Sequence, residues 1–135
     1  MAKAYRFEFD AGNKILLMRF EEKQLTDELL AESYHAVRRY AMSTDAYAGI
    51  LDFSSVTQFD VSVAFVRHLA LEEPAMPRAN VRGRIVVATN DVGFNLARMF
   101  QTLGEATRPL LHVVRSLDEA LEALGVESWR FEPLP

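Results

Sequence analysis

The 135-residue chain contains no cysteine, which excludes disulfides, thiolate metal sites and a cysteine nucleophile and is compatible with a reducing compartment. It also lacks any apolar run near the roughly 20 residues that span a bilayer. The start, Met1-Ala2-Lys3-Ala4-Tyr5-Arg6, runs straight into alternating residues, without the apolar core and small-residue cleavage site of a signal peptide. The resulting expectation is a cytoplasmic protein with no membrane span. Nor is there an excess of positive charge. The 15 basic residues are set against 19 acidic ones, and even the densest group, Arg78, Arg82 and Arg84, is small. A duplex nucleic-acid partner needs a concentrated basic face, so none is expected. No G-x-x-x-x-G-K, G-x-G-x-x-G or G-x-S-x-G occurs, which removes the usual sequence basis for a nucleotide cradle or a nucleophile elbow. His35, His68 and His112 are far apart and share no helical ligand spacing, so neither a metal nor a cofactor is expected.

What is present is globular: 50% of residues are hydrophobic and 25% charged, too apolar for a disordered chain and long enough for one core. Tyr5, Phe7 and Phe9 alternate with polar residues as in a half-buried strand, and Ile15 to Phe20 follows across the turn chemistry of Asp10 to Asn13. Thr26 is placed to cap a helix, with Leu30, Tyr34, Val37 and Ala41 on its buried face and an end near Ser43. Ala48 to Phe53 reads as a central strand buried on both faces. Asp60 is then the expected cap of a second helix carrying Phe65, Val66 and Leu69, which ends before Pro74 and Pro77 in a loop over Glu72 to Asn80. Arg84 to Thr89 reads as a strand. Asn90 or Asp91 opens a third helix with Leu96, Met99, Phe100 and Leu103 on one face, stopping at Gly104. Leu110 to Val114 is the last strand, with His112 expected to be a hydrogen-bonded core histidine. Ser116 to Glu119 has capping-box spacing, and Gly125 ends the final helix. The order ββαβαβαβα predicts an α/β domain over 1–135 with a five-stranded, mostly parallel mixed sheet and four helices. Residues 126–135 form a tail that either packs or frays.

Two carboxylates, Asp52 and Asp60, fall near the carboxyl edge of the sheet, where open α/β folds bind ligands. They suit a small hydrolase, yet a strand-ending turn and a helix cap account for them more simply.

The stretch Ile50-Leu51-Asp52-Phe53-Ser54-Ser55-Val56-Thr57-Gln58-Phe59-Asp60-Val61-Ser62 resembles the strand–loop–helix signature of the STAS superfamily, the anti-sigma-factor antagonist fold. Asp60 matches its aspartate and Ser62 its second serine, but Val61 stands where the phosphorylated serine would be and Val63 replaces the glycine. Over roughly residues 5 to 125 the chain looks more like the SpoIIAA-like relatives, which share the architecture and lack the phosphoserine. The resemblance implies a non-enzymatic, regulatory protein-binding module. Its face would comprise Asp52, Ser54, Ser55, Thr57, Asp60, Ser62 and Phe65, and its partner would be another protein or a second copy in a homodimer. A carrier of a lipid or other apolar small ligand is the alternative, and it requires a cavity between the second and third helices and the sheet.

Overall fold

The computed structural model describes residues 4–80 and 82–135. Met1 to Lys3, on which part of the leader expectation rests, lie outside the described residues. In chain order the elements are β1 (Tyr5–Asp10), β2 (Ile15–Phe20), β3 (Gln24–Thr26), α1 (Asp27–Ser43), β4 (Ala48–Asp52), β5 (Gln58–Asp60) and α2 (Val63–Leu71). A 3₁₀ turn at Pro77–Asn80 leads into β6 (Gly83–Val87), α3 (Asp91–Leu103), β7 (Leu111–Val114), α4 (Leu117–Ala123) and β8 (Glu132–Pro133). The described residues form an α/β fold with a mixed sheet and four α-helices. The sheet has six strands rather than five, in the order β7-β6-β4-β2-β1-β8, and β3 and β5 form a separate parallel pair.

The local reasons are those of the sequence. β1 and β2 form the antiparallel hairpin, Tyr5 opposite Phe20 and Asp10 opposite Ile15. From β2 onward the neighbours β2-β4, β4-β6 and β6-β7 are parallel, as helical crossovers require. Thr26 caps α1 by accepting from the Leu29 N–H, Asn90 caps α3 through Val92 and Gly93, and Ser116 caps α4 through Glu119. Gly125, at φ 70°, takes the left-handed turn after α4 at no steric cost.

Alternation along the strands splits the core in two. Ile15, Leu17, Ile50, Ile85 and Val87 face α4, whose Ala120 and Leu121 seal that side. Leu16, Met18, Phe20 and Val86 face the other way, towards Ala36 and Val37 of α1 and Ala97 and Phe100 of α3. α2 packs mainly on α3 and stands off the sheet. The deepest residues of α1 are Ser33, Ala36 and Val37, so its buried face is turned slightly from the expected Leu30-Tyr34-Val37-Ala41 stripe. Small residues approach the sheet, and the long ones flank them.

His112 is exposed, not a core residue. β7 is the edge strand, so the face that buries Ile85, its partner in register, is uncovered one strand further out. The tail packs rather than frays. Its strand β8 pairs with β1, and the Leu134 N–H donates to the Phe7 carbonyl at 2.9 Å. Among the described residues no helix is long and apolar enough to cross a membrane.

Candidate functional site

Small residues on the helix-covered face of the sheet leave space that the larger ones do not fill. Gly49 contributes no side chain on the central strand, and Ala88, Gly93 and Ala97 contribute little from the sheet end and from α3. The result is an apolar cavity of about 130 Å³ between the sheet and α1, α2 and α3. Leu51, on a central strand, is only partly buried because it faces this space. Two contacts show how closely the walls are set. A Cβ on Gly49 would lie 2.6 Å from Met76 Sδ, and one on Gly93 would lie 2.2 Å from the Phe59 ring. Val66 and Leu69 of α2 form part of the lining. A second, larger recess of about 860 Å³ beside Tyr40 and Pro135 is bordered by Arg6, Glu21, Glu22 and Arg39, a charged surface suited to water more than to an apolar ligand.

Both ends of α2 are tied down. At its start the Ser62 hydroxyl caps the helix, accepting from the Phe65 N–H at 3.1 Å. The same hydroxyl and the Ser62 N–H donate to the two carboxylate oxygens of Asp27 in α1, each at 2.9 Å. At its end Arg108, from the α3–β7 connection, donates to the carbonyls of Leu69, Ala70 and Glu72 at 3.1–3.2 Å. A helix terminus leaves its last carbonyls short of intrahelical partners, and a cation is favourable there; the Leu69 carbonyl also accepts from the Glu72 N–H at 3.1 Å. Arg108 also donates to the Tyr34 hydroxyl at 3.0 Å and lies 4.7 Å from the centre of the Phe100 ring. Tyr34 in turn donates to the Glu73 carbonyl.

Arg108 and Arg84 are both buried, at 3% and 7% exposure, and both line the cavity. Arg84 stands beside Gly49 in the β4–β6 register and donates to the Met76 carbonyl at 2.7 Å. Burial, and then the nearby positive charge of Arg108, hold its pKa down to about 10, so it remains charged at neutral pH. No aspartate, glutamate, histidine or lysine is among the described residues that line the cavity.

None of the residues expected from the sequence to form a binding face lines this cavity. Asp52 is buried at the end of β4 and its carboxylate accepts from the Ser54 N–H at 2.9 Å. Ser54 and Ser55 are exposed in the following turn. Thr57 bonds to the Lys23 carbonyl through its N–H at 2.9 Å and its hydroxyl at 3.4 Å. Asp60 does not cap α2. It is drawn into β5, where its carboxylate accepts from Gln24 and Gln58, and the cap passes two residues on to Ser62. Phe65 is half-buried, its ring 6.2 Å from that of His68. Arg84, Arg108, Tyr34 and Gly49 were not singled out as site residues by sequence reasoning; the available signal was the glycine inside the apolar run of β4.

The Ser62 cap carries a direct expectation. Ser62→Ala removes the α2 cap and the hydroxyl half of the Asp27 tie, leaving the backbone N–H bond, and is expected to destabilise the protein by about 1–2 kcal/mol, read as a lower urea midpoint. A phosphate on Ser62 would set a dianion against the Asp27 carboxylate.

Compared with known proteins, the chain matches no family model and no curated sequence.

Proposed function

We propose that the chain is a STAS-like, SpoIIAA-like binding module that takes a small apolar ligand in the cavity beneath α2. The single observation that carries this reading is the cavity itself, placed where a carrier requires one. A dry apolar cavity of about 150 Å³ accommodates benzene, so a volume of about 130 Å³ suits a single ring or a short chain better than a two-chain lipid. Met18 and Met76 in its walls are flexible enough to adjust to the occupant. The non-enzymatic reading is supported by the same lining. Its hydroxyls belong to Ser33, which donates to the Leu30 carbonyl, and Tyr34, which donates to the Glu73 carbonyl, and no histidine or carboxylate is among the described residues that line the cavity.

Regulation enters through α2. This helix lies over the cavity on one side and on the other exposes Val63 and Leu71, at 51% and 79%. Occupancy beneath it biases its position, and a partner protein or a second copy of the chain reads the outer face. Neither Asp52 nor Asp60 lines the cavity, so the ligand reading places no hydrolytic role on them.

The test is thermal and chemical unfolding with toluene as probe. At about a hundred times its Kd, toluene is expected to stabilise the protein by about 2.7 kcal/mol. Ala97→Phe, which fills the space, is expected to abolish the shift. No stabilisation of the natural chain at saturating toluene overturns the reading.

A further inference from the structure

We infer that β1 is a self-complementary pairing edge: a second copy of the chain docks antiparallel along it, Phe7 opposite Phe7, in competition with the tail. This surface is separate from the cavity and does not depend on it.

The hydrogen bonds fix which way the strand faces. The Glu21 N–H donates to the Ala4 carbonyl at 2.7 Å across the hairpin, so by alternation the main chain of the even-numbered residues of β1 is turned to β2. That of Tyr5, Phe7 and Phe9 is turned outward, where the Leu134 N–H donates to the Phe7 carbonyl at 2.9 Å. The tail covers this edge sparingly. Of the six residues in β1 only Glu8 and Phe9 pair with β8, and Pro133, one of its two residues, has no N–H to donate. The recess of about 860 Å³ borders Tyr5 and Phe7 and leaves room beside the strand. The opposite edge of the sheet is closed in another way. There the Leu111 carbonyl accepts from the Gln101 side chain at 2.8 Å, and the Leu111 N–H donates to the Arg108 carbonyl at 3.3 Å.

A strand edge is a template for another strand, and the side chains of β1 select its own copy. With Phe7 opposite Phe7, Tyr5 meets Phe9 twice on the face towards α1, and Arg6 meets Glu8 twice on the other face. Aromatic pairs and opposite charges are the favourable cross-strand combinations. Moving the two-fold axis by one residue sets Arg6 against Arg6 or Glu8 against Glu8, so the charges fix the register. The two partners of the new ion pair are already on the right face. Arg19 holds the Glu8 carboxylate there at 2.6 Å, and the Arg6 side chain, 56% exposed, lies 3.4 Å from Glu8 and 3.5 Å from Glu21. The tail and the second copy use the same outward groups of Phe7 and Phe9, so each excludes the other. Dimerisation is thereby coupled to release of residues 126–135.

Sedimentation velocity on the full chain tests this. Leu134→Asp, which removes an apolar anchor of the tail, is expected to tighten dimerisation at least about tenfold relative to the natural chain. Adding Arg6→Glu, which sets an acid opposite Glu8 of the second copy, is expected to reverse that gain. If Leu134→Asp does not fold, Tyr40→Phe combined with Asn13→Ala takes its place, because the pair cuts the side-chain bonds to the Pro135 and Ser128 carbonyls. A folded, tail-released chain no more dimeric than the natural one overturns the proposal. So does a dimer indifferent to Arg6→Glu. A dimer that Leu134→Asp weakens is an exchange of tails between copies, and it overturns the edge pairing as well.

Discussion

Arg108→Ala is expected to lower the unfolding free energy by about 3–5 kcal/mol. The guanidinium donates to three carbonyls at the end of α2 and to the Tyr34 hydroxyl. A buried acceptor left bare costs about 1–3 kcal/mol, and of the two buried ones the Ala70 carbonyl loses this donor while Leu69 keeps the Glu72 N–H. The lost contact with the Phe100 ring adds to this. Removing a buried charge also removes its own desolvation penalty, which keeps the total below the sum of the parts. The loss should be local before it is global. Hydrogen exchange in Arg108→Ala is expected to accelerate first in α2, with α4 protected on the opposite face of the sheet. Arg108→Lys should recover only a part, because one ammonium cannot reach the same four acceptors in fork geometry. Uniform acceleration through both helices would show that Arg108 supports the core generally and does not hold α2.

The second large effect concerns Asp10, at 3% exposure. Its carboxylate joins two distant parts of the chain, accepting from the Asn13 N–H at 3.0 Å and side chain at 2.7 Å, and from the Arg130 N–H at 3.1 Å. Asp10→Ala is expected to destabilise by about 2–4 kcal/mol and to release the tail, read as faster proteolysis near Trp129 and Arg130. The group also sets an acid limit. Burial alone would raise its pKa, but the hydrogen bonds from Asn13 and Arg130 outweigh it and hold the value below the usual 3.8. A carboxyl whose pKa is depressed by folding contributes fully above its unfolded value. That contribution disappears as the pH falls from 3.8 through the lower folded value. Asp10→Asn should therefore show a smaller loss of stability over this interval than the natural chain. An identical acid profile in the two proteins would contradict the assignment.

Much of this architecture is legible in the residues. Thr26, Asn90 and Ser116 cap the helices that their sequence positions indicate, because each lies directly before a periodic apolar stripe and has a short oxygen-bearing side chain. Asp60 and Ser62 are harder to separate. They are equally suitable caps two residues apart, and only the pairing of β5 with β3, a contact between distant segments, decides in favour of Ser62. His112 shares the apolar context of its neighbours and differs only in lying on the sheet edge, which periodicity cannot express. The cavity is hidden for a related reason. Gly49, Gly93 and Ala97 look like ordinary small residues until the fold sets them around one space. Arginine is so often exposed that Arg84, opening a strand, and Arg108, in a connection, give no sign of burial before the carbonyls of α2 and its following loop are in place.

The claim that a ligand enters beneath α2 is tested most directly by methyl-resolved NMR during a toluene titration. Saturable shifts confined to Leu51, Val66, Leu69, Val86 and Ala97 are the predicted result, since these residues line the cavity. Shifts spread over the exposed side chains of Val63, Leu71 and Val92, with the cavity methyls unmoved, would contradict it.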